Sequence, residues 1–258
     1  MERSRYMPKS RSTSEKQPLF NKQSDRSSLA HGKKNTPPVG AANTAVQATP
    51  GRDWLLMTLV FVGGISSLAV EMVAARLIAP FFGDSQFVWA TLIGLTLIYL
   101  TAGYYLGGRL ADRAPYAQAL YRLTALAAVS IGLIPVLSSP ILNWTEQTFA
   151  RPDSDISAGP LVAVLILFSL PVILLGCVSP YAIRLRVQAV GSAGSISGRL
   201  YALSTVGSIV GTFVPVFWLM PSYGVRATIL AFAGLLMAVS AAGLIAQARA
   251  RKENHAGA

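Results

Sequence analysis

The chain has 258 residues, of which 52% are hydrophobic and 13% charged, about half the charged share of an ordinary soluble domain. This balance argues against a soluble globular enzyme and for a membrane protein. The formal charge is +11, yet ten of the 22 Lys and Arg fall within residues 1–52 and most others flank apolar runs, a distribution that follows the positive-inside rule better than a nucleic-acid-binding face.

Residues 1–52 are rich in Ser, Lys, Arg, Gln, Asn and Pro. With few large apolar side chains to bury, they cannot offset the entropy of ordering, and a disordered basic cytoplasmic tail is expected. The first long apolar run begins at Trp54, so no secretory leader is expected. From Asp53 onward six segments are each long enough to cross about 30 Å of hydrocarbon as a helix: 54–79, 87–108, 120–142, 160–182, 200–220 and 226–247. The expected organisation is a six-helix transmembrane domain over 53–248, followed by a short cytoplasmic tail at 249–258.

Charge between the segments sets the orientation. The second and third are separated by Arg109, Asp112, Arg113 and Arg122, the fourth and fifth by Arg184, Arg186 and Arg199, and Arg249, Arg251 and Lys252 follow the sixth. These cationic stretches belong on the cytoplasmic side. The opposite loops carry Asp84, then Glu146, Arg151, Asp153 and Asp155, then the short Pro221-Ser222-Tyr223-Gly224. Both termini are therefore expected in the cytoplasm, with the chain in the cell inner membrane. Trp54, Trp89, Trp144, Trp218 and Tyr223 fall near segment ends, where amphipathic rings favour the headgroup layer.

Pro135, Pro171, Pro180 and Pro215 lie within the apolar segments and predict kinks or local unwinding. Gly103 and Gly107 in the second segment, and Gly207 and Gly211 in the fifth, recur at four-residue spacing. Each pair makes a flat stripe that lets another backbone approach closely. A shift of 112 residues brings the first two segments onto the fourth and fifth, with Gly64 on Gly176 and Trp89 on Tyr201. Two three-helix repeats, an arrangement common in transporters, are a plausible architecture.

Few side chains could carry chemistry. Glu71 lies within the first apolar segment, about 25 Å along it from Trp54 at 1.5 Å per residue, toward its outer end. An ionisable group at such depth finds a cation, lines a wet cavity or carries a proton; the alternative is a glutamate hydrogen-bonded within the bundle. Arg76 follows five positions later, on a different face of the helix. It either anchors at the outer interface, where it can meet Asp84, or joins a ligand site. Tyr104, with Tyr99 and Tyr105, could add a hydroxyl or a cation-binding ring face, or simply pack. His31 and His255 are in the tails, and Cys177 is the only cysteine. No catalytic constellation, disulfide, metal site or cofactor is expected. The run Gly191-Ser192-Ala193-Gly194-Ser195 follows no strand of a βαβ unit and is expected to be a flexible connection, not a nucleotide-binding loop.

Three stretches carry a family resemblance: Gly63-Gly64-Ile65-Ser66-Ser67-Leu68-Ala69-Val70-Glu71-Met72-Val73-Ala74-Ala75-Arg76-Leu77-Ile78-Ala79-Pro80-Phe81-Phe82-Gly83, Gly103-Tyr104-Tyr105-Leu106-Gly107-Gly108-Arg109-Leu110-Ala111-Asp112-Arg113, and Gly198-Arg199-Leu200-Tyr201-Ala202-Leu203-Ser204-Thr205-Val206-Gly207-Ser208. Together with Val88-Trp89 they resemble the membrane domain of spermidine synthase-like membrane proteins, over about 54–247. In that family a membrane part resembling major facilitator transporters is often followed by a soluble aminopropyltransferase domain of methyltransferase-like fold. No such domain follows the sixth segment here, so the resemblance implies membrane anchoring, or handling of polyamine-like metabolites, for a separate soluble aminopropyltransferase. It does not imply aminopropyl transfer by this chain alone. Gly108-Arg109-Leu110-Ala111-Asp112-Arg113 is also similar to the cytoplasmic motif joining the second and third helices of major facilitator transporters, which implies a conformation-holding charge network at Arg109, Asp112 and Arg113. From the residues alone, a loop cap with positive-inside charges is equally open. Six helices make half of a major facilitator fold, so a homodimer or a second membrane subunit is the expected complement. A stand-alone, homodimeric, proton-coupled transporter is the rival expectation.

Overall fold

A computed structural model describes residues 50–149, 158–187 and 190–256. The disordered tail expected at 1–52 lies outside these residues except for its last three, which already belong to the first helix. Much of the acidic loop expected after the third segment, Arg151, Asp153 and Asp155 included, also lies outside them. The described residues form α1 (Pro50–Phe82), α2 (Gln86–Arg113), α3 (Ala117–Phe149), α4 (Gly159–Gly176), α5 (Val178–Arg186), α6 (Val190–Val214), a π-helical turn (Pro215–Leu219) and α7 (Met220–Ala256), with no strand among them. An all-helical chain is what hydrocarbon demands, because each backbone N–H and C=O must be satisfied within its own segment.

Five helical runs are long and apolar enough to cross a membrane: Asp53–Phe82, Gln86–Arg113, Ala117–Phe149, Gly159–Arg186 and Ser192–Lys252. The first four match the expected segments, with longer ends. The fifth covers 61 residues in one run, but two helices meet in it across a kink at Gly224, within the short turn expected at Pro221-Ser222-Tyr223-Gly224. Helical geometry resumes on both sides, and the break is confined to Gly224, whose φ of 81° and ψ of 170° suit a residue without a Cβ.

One expectation, the flexible connection at Gly191 to Ser195, is corrected by a helix boundary. The small-residue run Gly191 to Ser195 lies in the first turns of α6, where Ser195 and Ser197 hydroxyls donate back to the carbonyls of Ser192 and Ala193. Nothing in the run forbids a helix, since small side chains do not crowd the preceding turn. The tail expected from residue 249 continues α7 to Ala256.

Of the four prolines expected to disturb their helices, Pro180 and Pro215 lie at breaks, while Pro171 stays inside α4. Pro215 opens the π-helical turn, and Pro180 lies three residues after the α4–α5 break at Cys177. Pro135 and Pro140 are accommodated inside α3.

α1 packs on α6 and α7, α4 packs on α2 and α3, and α3 packs on α7. Leu59, Ile78, Tyr121, Ile131, Leu142, Tyr181, Leu200 and Leu236 are fully buried between them. Leu97, Ile98, Val136, Phe213, Phe217 and Trp218 project outward, an apolar periphery that would be costly in water and is ordinary in lipid.

Glycine sets the closest approaches. A Cβ on Gly207 or Gly211 of α6 would strike the carbonyls of Phe61 and Ile65 of α1, and one on Gly64 would strike that of Ser204. On the other side of the bundle, a Cβ on Gly103 or Gly107 of α2 would strike the backbone of Ile173 and Cys177, and one on Gly176 would come within 3.2 Å of the Leu100 carbonyl. Both stripes thus find their neighbour within the same chain. The α3–α7 interface is held differently: Thr124 and Ser240 share a buried hydroxyl pair at 2.7 Å, and Gly243 leaves room for the Tyr121 ring.

Candidate functional site: an unpaired glutamate and a clasped end

One end of the bundle is tied by α5. Tyr181 and Arg184, three positions apart, share a helix face and meet the end of α2. The Tyr181 hydroxyl donates to the Ala114 carbonyl and lies 3.5 Å from that of Tyr116, while Arg184 Nε donates to Asp112 Oδ1 at 2.8 Å. Ala114 has left helical geometry, as befits a residue before proline, so its carbonyl accepts from the Tyr116 N–H as well as from Tyr181. Two positions beyond Arg184 the helix turns to another neighbour, and Arg186 Nη1 pairs with Asp53 Oδ2 of α1 at 2.9 Å. The start of α1, the end of α2 and the end of α5 therefore lie at one end. The last turns of α7 join them through Gly243 on Tyr121, near the start of α3.

The three residues of the cytoplasmic motif divide here. Asp112 is the acceptor for Arg184. Arg109 folds back over the Tyr105 ring of its own helix, 4.4 Å from the centroid, a cation–π contact. Arg113 is exposed in the last turn of α2, where a cation complements the helix dipole. The sequence showed the acid of this clasp but not its partners: Tyr181, Arg184 and Arg186 are far away in the chain, and only the spacing of a Tyr and an Arg at i, i+3 just after Pro180 hinted at a shared face.

Glu71 behaves differently. Met57, Phe61, Leu68, Met72, Ala75 and Ala79 form the partly open stripe of α1, and half-buried Glu71 sits at its edge. Along the Asp53–Phe82 span it is about 27 Å from the first residue, closer to the middle than to either end. No hydrogen bond or ion pair joins it to another described residue.

Arg76 is exposed and does not meet Asp84, whose Oδ1 accepts from Trp89 Nε1 at 2.6 Å instead. The turn through Gly83, at φ 75°, places Asp84 beside the first turn of α2, within reach of that indole. Tyr104 is half exposed on the outer face of α2, whereas Tyr99 is buried. Glu71, Arg76 and Tyr104 thus do not converge through any hydrogen bond or ion pair among the described residues. Nor is there a cluster of His, Cys, Asp or Glu suited to a metal ion among them.

The class defined by the fold is an all-helical bundle with five helices able to cross a membrane, compatible with a membrane protein. No family model, curated protein or solved structure matches the chain.

Proposed function

We propose that the chain is an inner-membrane protein that binds small cationic, polyamine-like metabolites at Glu71 and anchors, or handles them for, a separate soluble aminopropyltransferase. The observation carrying this reading is Glu71 itself, a carboxyl group near the middle of a membrane-length helix, partly accessible and without a partner among the described residues. A group so placed requires a cation, water or a proton, and a diffusible ammonium ion supplies the first. The resemblance of the surrounding Gly63 to Gly83 stretch to the spermidine synthase-like membrane domain narrows the cation to polyamines. In this reading the clasped end, with Arg109, Arg113, Arg184 and Arg186, faces the cytoplasm. Titration of spermidine into the purified chain in nanodiscs, beside Glu71→Gln, tests the site. Recovery of an aminopropyltransferase from solubilised membranes tests the partner. Absence of both binding and recovery removes the proposal.

A second reading, a stand-alone homodimeric proton-coupled transporter, is favoured by a correspondence between the two glycine interfaces. A shift of 112 residues carries Phe61, Gly64 and Ile65 onto Ile173, Gly176 and Cys177, and a shift of 104 carries Leu100, Gly103 and Gly107 onto Ser204, Gly207 and Gly211. The contacts carry over too. Gly207 on Phe61, Gly211 on Ile65 and Gly64 on Ser204 correspond to Gly103 on Ile173, Gly107 on Cys177 and Gly176 on Leu100. This supports two related three-helix units and six crossings, the last run doubling back at Gly224. Internal repeats of this kind are frequent in transporters. Proton-driven spermidine flux in proteoliposomes containing only this chain would favour the second reading over the first.

A further inference from the structure

The buried hydroxyls described in α3 and α7 bond within their own helices. Ser130, Ser138 and Thr145 of α3 donate to carbonyls three or four residues back in their own helix. Thr228 and Ser240 of α7 do the same. Ser66 of α1, at 0% exposure, and Tyr99 of α2, at 6%, have hydroxyls with no hydrogen-bond partner. Leaving such a group dry is costly, and a tyrosine hydroxyl buried in a core usually finds a partner.

Both residues flank the same feature, the joint between α4 and α5. A Cβ on Gly63, one turn before Ser66, would lie 3.3 Å from Val178 Cγ1, just past the joint. Gly103, one turn after Tyr99 on the buried face of α2, sits on the Ile173 carbonyl, and Leu100 sits on Gly176. The joint is polar by construction. Pro180 has no N–H to offer the Gly176 carbonyl four residues earlier, and Cys177 Sγ donates back to the Ile173 carbonyl at 3.3 Å. Each unpaired hydroxyl thus lies one helical turn from a residue that touches the joint, where the Gly176 carbonyl has lost its helical donor. Within a membrane, freed backbone groups at such breaks are commonly satisfied by ordered water.

We propose that the α4–α5 joint is an internal hydration site, with water bridging the hydroxyls of Ser66 and Tyr99 and the Gly176 carbonyl. Ser66 lies five residues before Glu71 on α1, about 7.5 Å in depth. The hydrated joint therefore puts water within two helical turns of Glu71 in depth. The site stands whether or not Glu71 binds a cation.

The test is X-ray hydroxyl-radical labelling of the whole chain in nanodiscs, read by mass spectrometry at Tyr99 and Cys177, with melting midpoints of Tyr99→Phe and Ser66→Ala beside it. Bound water predicts labelling of Tyr99 despite its burial, and a midpoint lowered by about 2 °C or more in each variant, since each removes a hydrogen bond. A dry joint predicts no labelling, and a midpoint unchanged or raised when the orphan hydroxyl is deleted. Absence of labelling, or an unchanged or raised midpoint in both variants, overturns the proposal. Labelling is measured on the unsubstituted chain, so it decides the matter even if a variant fails to fold.

Discussion

Carboxylates are treated in opposite ways at the clasped end and along the middle of α1. At the end, Asp53 and Asp112 each face one arginine of α5, and these pairs join three helices. On α1, Glu71 has no such partner among the described residues and lies at the edge of an open stripe. Arginine and aspartate at a helix end are cheap to place, because water and headgroups reach them. A glutamate in the span is expensive, and it persists there without a cationic partner among the described residues. The contrast separates carboxylates that tie helices together from a carboxylate that ties none among the described residues.

The largest effect is expected from separating the helices that carry both regions. Gly211→Leu would drive a side chain into the Ile65 carbonyl and should abolish the monodisperse folded peak in detergent chromatography. Gly107→Leu should do the same at the α2–α4 interface, while Gly94→Leu, which meets open space, should be tolerated. Unequal outcomes for Gly107 and Gly211 would count against two equivalent interfaces.

Next in size is the ligand itself. Glu71→Gln should weaken spermidine binding in nanodiscs by about tenfold or more, roughly 1.4 kcal/mol, whereas Asp112→Asn should leave it within about twofold. Equal losses in the two variants would erase the division between the regions.

A smaller effect is expected from Tyr181→Phe, which keeps the ring but removes the donor to the Ala114 carbonyl. A cost of about 1 kcal/mol should appear as a lowered unfolding midpoint. Smallest is the exposed pair. Asp112 and Arg184 side chains are 70% and 50% exposed, so a double-mutant cycle should give about 0.2–1 kcal/mol. The Asp53–Arg186 pair, at 38% and 23%, should exceed it. The reverse order would mean that the Asp112 contact depends on something other than direct pairing.

Much of the architecture was legible in the chain because lipid-length apolar runs admit few structures. The positions of α1 to α4, the glycine stripes and the breaks at Pro180 and Pro215 follow from local chemistry: side-chain size, a missing N–H and hydrophobic length. That Glu71 lies inside the first span was legible for the same reason, but its place along it was not: the helix continues to Phe82 and leaves Glu71 nearer the middle than the outer end expected. Register between helices was not. In the two glycine interfaces the residues of α1 and those at the end of α4 are 112 apart, but those of α2 and α6 are 104 apart, a difference from the single shift of 112 that only the inter-helix contacts reveal. Nor could spacing foresee that Asp84 meets Trp89 and not Arg76, or that α6 begins within a run of Gly, Ser and Ala. By itself the sequence determined which segments are apolar enough to span and which charges lie inside them, because burial in hydrocarbon is a one-dimensional constraint on composition. Only the tertiary structure decided which charges are paired, since the partners of Asp53 and Asp112 come from a helix more than 70 residues away and are chosen by packing, not by proximity in the chain.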